Sequence, residues 1–78
     1  MKRISRTWEE LYGFAEGLPT FDQRLVYIQG LATGYGRRFP KEWAKKFTDL
    51  LLKEEGAFNN PDVLEVVNKI MPDKAGTN

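Results

Sequence analysis

The residue types that do chemistry are scarce in this chain, and what is missing narrows the function first. Among 78 residues there is no histidine and no cysteine. The commonest metal ligand, the usual general base and every thiolate nucleophile are therefore absent. The single serine, Ser5, lies in a basic N-terminal stretch with no imidazole to activate it, so a Ser-His-Asp arrangement is impossible and a Ser-Lys one would lack a rigid site. Acid pairs occur at Glu9-Glu10 and Glu54-Glu55. Neighbours on a helix diverge by about 100°, so neither pair converges on one substrate atom as a glycosidase dyad must. Asp and Glu alone would favour calcium or magnesium, but no Asp-x-Asp-x-Asp-Gly loop occurs, and Asn59-Asn60-Pro61-Asp62 reads as a helix cap rather than a ligand set. The expectation is a protein that is not an enzyme and uses no cofactor, metal or small-molecule substrate.

One segment stands out in charge. From Gly34 to Phe47 run five basic residues against one acid, interleaved with the aromatics Tyr35, Phe39, Trp43 and Phe47. Glycines before a helix can turn backbone N–H groups toward an anion, and Arg37-Arg38 suits a phosphate or carboxylate. The Walker lysine spacing is absent, and a helix-turn-helix reading fails: six positions beyond Gly36, where an apolar residue belongs, stands Glu42, and Pro40 falls where the recognition helix should already run. On a helical wheel Leu52 projects between Lys41 and Lys45, away from Trp43, Phe47 and Leu50. Either a later helix or the Ala57-Phe58 turn covers it, or it is an apolar contact in basic surroundings. Arg37, Arg38, Lys41, Lys45 and Leu52 are therefore the candidate partner-binding residues.

Four segments of helical period must position this surface. Thr7 with Glu10 makes a capping box ahead of Trp8, Leu11, Tyr12 and Ala15, with Gly17 as a stop. Thr20 with Gln23 repeats it ahead of Phe21, Leu25, Ile28 and Ala32, until Gly34-Tyr35-Gly36 frays the helix. Pro40 opens a third helix that Gly56 closes, and Asn60-Pro61-Asp62 opens a fourth carrying Val63, Val66, Val67 and Ile70. The pattern predicts an all-α domain, a compact bundle of four short helices at about residues 8–16, 21–33, 40–55 and 61–71. The whole chain, 1–78, forms this one domain, with a basic arm at 1–6 and a loose tail at 73–78. Its expected core is Trp8, Leu11, Phe21, Leu25, Ile28, Trp43, Phe47, Leu50, Val67 and Ile70. Val26, Gly30 and Gly34 form a smooth strip on the second helix, against which another helix is expected to sit.

Composition agrees with a globular chain, 41% hydrophobic and 29% charged. So short a chain buries only roughly 60% of its unfolded surface, and its stability should be on the order of 4 to 12 kcal/mol. No stretch approaches 18 apolar residues, and Met1-Lys2-Arg3-Ile4-Ser5-Arg6 leads into Trp8-Glu9-Glu10 without an apolar run, so no membrane association and a cytoplasmic location are expected. With a net charge of +1, a protein partner is favoured over nucleic acid. The expected function is a small adaptor or inhibitor, of a size viruses and mobile elements encode, that binds a protein with an acidic surface. The alternative is a nucleic-acid-binding regulator using the Arg37 to Lys46 surface. A homodimer is compatible with either.

Overall fold

Thr7 turns the chain into its first helix. In the computed structural model, which describes residues 7–71, the Thr7 hydroxyl accepts the Glu10 N–H at 3.1 Å and the Glu10 carboxylate accepts the Thr7 N–H at 3.2 Å, a complete capping box. The expected arm at 1–6, with Ser5, and the expected tail at 73–78 lie outside the described residues. The helix that follows, α1, spans Trp8–Glu16. Leu11 and Ala15 are its buried positions.

A short link through Pro19 leads to α2, Phe21–Tyr35. Its N-terminus forms half of the expected box: the Thr20 hydroxyl accepts the Gln23 N–H at 3.1 Å. The helix runs two residues beyond the expected end at 33, straight through Gly30 and Gly34. A glycine inside a helix costs about 1 kcal/mol but does not stop it, and Ile28 and Ala32 hold the segment by burial. The stop comes at Gly36, whose φ of 52° is left-handed and starts the 3-10 turn Gly36–Arg38.

The third helix, α3, spans Lys41–Leu52, shorter at both ends than the expected 40–55. Pro40 stays extended and caps it, its carbonyl accepting the Ala44 N–H at 2.8 Å. At the far end the chain leaves the helix at Lys53, reverses at Gly56 with φ 84°, and makes the 3-10 turn Ala57–Asn59 with Ala57 buried. Then α4, Pro61–Ile70, starts where expected and ends one residue before 71; the Asn60 side chain accepts the Asp62 N–H at 2.9 Å. No strand occurs among the described residues. The fold is an all-α four-helix domain.

Packing joins α2 to α4, lays α3 against both, and sets α1 across α2 and α3. Ile28, Phe47, Leu51 and Val63 are wholly buried. Of the expected core, Leu11, Leu25, Ile28, Phe47, Leu50 and Ile70 are buried, whereas Trp8, Phe21, Trp43 and Val67 are half-buried and pack at its rim. The reason on α3 is rotation. Its buried arc, Ala44, Phe47, Thr48, Leu50 and Leu51, centres near Leu51, about 60° from the centre of Trp43, Phe47 and Leu50. The small Ala44 and the polar Thr48, both buried, turn inward in place of Trp43. Thr48 is accommodated because its hydroxyl donates to the Met71 sulfur at 3.3 Å. Phe39, in the loop before α3, is a further core residue.

The strip of Val26, Gly30 and Gly34 has no helix on it. A β-carbon at either glycine would meet nothing within 4 Å, and Val26 is 65% exposed. The helix that packs along α2, α4, follows the buried Ile28 and Ala32 side, leaving a shallow groove between Gln29, Gly30 and Thr33 on one bank and Glu65, Val66 and Lys69 on the other.

Candidate functional site

The basic segment divides into side chains that the fold uses and side chains that it leaves in solvent. Arg38 is used: its guanidinium donates to the Gly34 carbonyl at 2.9 Å, near the end of α2, and lies 5.8 Å from the Tyr35 ring centroid. A cation at a helix C-terminus is favourably placed against the helix dipole. Lys46 is used in part, its ammonium lying 4.7 Å from the Trp43 ring centroid. Arg37, Lys41 and Lys45 are exposed and, among the described residues, make no ion pair or hydrogen bond. Leu52 is half-buried and packs against the core. One turn before it, Thr48 bonds to Met71, so this side of α3 faces the end of α4. Leu52 therefore adds little apolar surface to the basic face.

The glycines of the segment do not open an anion cradle. The Gly36 N–H is donated to the Ala32 carbonyl and the Phe39 N–H to the Gly36 carbonyl. The interleaved aromatics turn inward. Trp8 lies 4.8 Å from Tyr35, 4.6 Å from Phe39 and 6.3 Å from Phe47 between ring centroids. Phe39 meets Phe47 edge-on at 5.4 Å, and Tyr12 meets Phe47 at 5.3 Å and Trp43 at 5.9 Å. These tilted and edge-on pairs are favoured aromatic geometries. They brace the loop and the start of α3, and so hold the exposed arginine and lysines in place. Burial pushes the Tyr12 hydroxyl above its ordinary pKa, and the negative charges of Glu16 and Asp49 add to the effect.

A second surface lies on the far side of α1. Phe14, 56% exposed, rests against Tyr27 with ring centroids 4.9 Å apart. Together with Leu18 and Val26 these rings line a shallow apolar depression bordered by Asp22 and Gln23. Arg24 ties the helix link beneath it, donating to the Leu18 carbonyl at 2.9 Å and approaching Glu54 at 3.9 Å. The sequence holds a signal for this surface: Phe14 falls about 60° outside the arc of Leu11 and Ala15, and Val26 lies on the side of α2 away from its buried stripe.

Among the described residues no group of three or more His, Cys, Asp or Glu side chains is placed to hold a metal ion, and no helix is long and apolar enough to cross a membrane. No protein-family model, no curated protein and no solved structure matches the chain.

Proposed function

We propose that the chain is a small non-catalytic adaptor or inhibitor, acting in the cytoplasm, that binds a protein with an acidic surface through Arg37 of the 3-10 turn and Lys41 and Lys45 of α3. One observation carries this reading: these three cations stand in solvent without partners on a loop and helix that the aromatic cluster holds in place. Long side chains fixed at their base lose less freedom on contact than those on a mobile loop. Arg38 is exposed too, but its guanidinium is already engaged with the Gly34 carbonyl and lies near the Tyr35 ring.

Protein is favoured over nucleic acid by what shares the face. Glu42 and Asp49 are exposed on the same outward arc of α3 as Lys41 and Lys45. A phosphate backbone tracking along the helix would meet both carboxylates, whereas a protein surface can match mixed charge. The rings between the cations are also spent on one another instead of being free to stack on bases.

The test is a triple substitution, Arg37→Glu with Lys41→Glu and Lys45→Glu. All three side chains are exposed, so the variant should keep its helical circular dichroism. A protein captured from the native host by the parent chain and lost by this folded variant supports the reading. Binding to a nucleic acid duplex at physiological salt, with affinity falling steeply as salt rises, would replace it with the nucleic-acid alternative.

A further inference from the structure

Two of the five large apolar side chains exposed among the described residues, Phe14 and Val26, border one depression, which Leu18 and Tyr27 complete. Its volume is about 430 Å³, within the roughly 300 to 1,000 Å³ of ligand pockets, but it is open rather than enclosed. A free small molecule would stay largely in water there, whereas a side chain presented by a larger partner would be covered from both sides. The charges around the depression have one sign. Asp22 lines it, and Glu10, whose carboxylate caps Thr7, is exposed one turn before Phe14 on the same side of α1. No lysine or arginine lines it. Arg24, the first base after Asp22, has its guanidinium on the Leu18 carbonyl and toward Glu54. From Thr7 to Gln23 the chain carries four acids and no base. Of these, Glu9 and Glu16 lie on the Tyr12 side of α1 and add to the field rather than to the rim.

We propose that this depression docks a segment of another protein in which a bulky apolar side chain stands beside lysine or arginine. Each half of that description answers something present. Phe14, Leu18, Val26 and Tyr27 offer apolar surface that gains by leaving water, and aromatic rings are enriched at the cores of protein interfaces. Asp22 and Glu10 then meet the neighbouring cations. The Phe14 ring is already braced on Tyr27 with centroids 4.9 Å apart, so it gives up little freedom when covered. The same carboxylates set this occupant apart from other macromolecules. The phosphates of a nucleic acid or of an anionic lipid surface would meet acids across an apolar floor, with no base in the lining to receive them. A shallow site of this kind supports a Kd in the micromolar range. It shares no residue with the α3 face and prefers the opposite charge. A chain with both would join a basic segment to an acidic protein, yet the depression stands as a site whether or not the α3 reading holds.

The experiment pans random dodecapeptides displayed on phage against the full chain at physiological salt, then measures the enriched peptides by fluorescence anisotropy. One enriched class should carry a bulky apolar residue flanked by lysine or arginine. Val26→Lys places a like charge on the apolar floor and should raise the Kd of that class at least about tenfold, and Asp22→Asn removes one carboxylate and should raise it about threefold. Asn68→Lys adds the same charge on the outward side of α4 and should leave Kd unchanged. All three positions are exposed, so circular dichroism should show each variant folded like the parent. Arg37→Glu with Lys41→Glu and Lys45→Glu should not affect this class. An acidic class lost by that triple variant would report the α3 face alone, so the two readings fail separately. Arg3→Ser with Ile4→Ser should leave Kd unchanged; a tightening of about tenfold would make residues 1–6 of the chain itself the occupant and overturn the proposal. The absence of a basic and apolar class, or one that binds folded Val26→Lys as tightly as the parent, would overturn it as well.

Discussion

The Trp8 indole lies 4.6 Å from the Phe39 ring, tilted by 47°, and so joins the first turn of α1 to the loop that precedes α3. Phe39 is buried and Trp8 only partly so. Phe39→Ala should therefore cost about 3 to 5 kcal/mol, the usual figure for a buried aromatic and a large share of a small domain's stability. Trp43→Ala, which the sequence pattern makes the disruptive substitution, should cost about 1 to 2 kcal/mol, because Trp43 sits at the rim with Lys46 over its face. Thermal melts of the two variants rank them, and a lower midpoint for Trp43→Ala would contradict the assignment.

Two glycines should respond with opposite sign to the same change. Gly13 lies inside α1 on ordinary helical backbone, with open space where a β-carbon would stand, so Gly13→Ala should stabilise by about 0.5 to 1 kcal/mol. Gly56 has φ 84°, so Gly56→Ala should destabilise by about 1 kcal/mol or more, although nothing crowds it. Chemical denaturation of the pair measures both.

The pH response should carry the mark of Tyr12. Its hydroxyl is raised by burial and then by Glu16 and Asp49, so the folded state holds the proton more tightly than the unfolded chain does. The contribution is complete below the unfolded value of about 10 and is lost as pH climbs through the higher folded value. Stability should fall above about pH 10, and Tyr12→Phe should remove that component of the slope. Following phenolate absorbance in the Glu16→Gln, Asp49→Asn double variant should show the Tyr12 titration moving back toward its ordinary range; no movement would exclude the two carboxylates as a cause.

Leu52→Asp should lower stability by about 1 to 3 kcal/mol, since it places a charge in a half-buried position packed on the core. A variant that melts like the parent would return Leu52 to the exposed face.

What the sequence shows plainly is punctuation. Thr7 with Glu10, Thr20, and Asn60-Pro61 are local devices whose hydrogen bonds span two or three residues, and all three helix starts are where those residues put them. Helix ends are less legible, because α2 continues through two glycines on the strength of buried Ile28 and Ala32, which only the folded chain supplies. The rotation of α3 was hidden for a similar reason. A wheel weighted by large apolar side chains follows Trp43, while close packing prefers Ala44 and tolerates Thr48 once Met71 is beside it. At the candidate site, Arg37, Lys41 and Lys45 are exposed as the charge pattern suggests. The engagement of Arg38 with Gly34, and the apolar depression between Phe14 and Val26, depend on contacts across a turn or between helices that spacing alone does not encode.

The position of α4 in the chain bears on how the protein is made. It is the last of the four helices, yet it packs on α2, on α3 and on both 3-10 turns. During synthesis, α1 to α3 emerge with the apolar sides of α2 and α3 facing water, and the core closes only once residues 61–70 have cleared the ribosome. The nascent chain therefore passes through an interval in which Ile28 and Leu51 are open to chaperones or to neighbouring chains. Because the connections are short and the contacts mostly within and between helices, closure afterwards should be fast, on the microsecond to millisecond scale of helical domains.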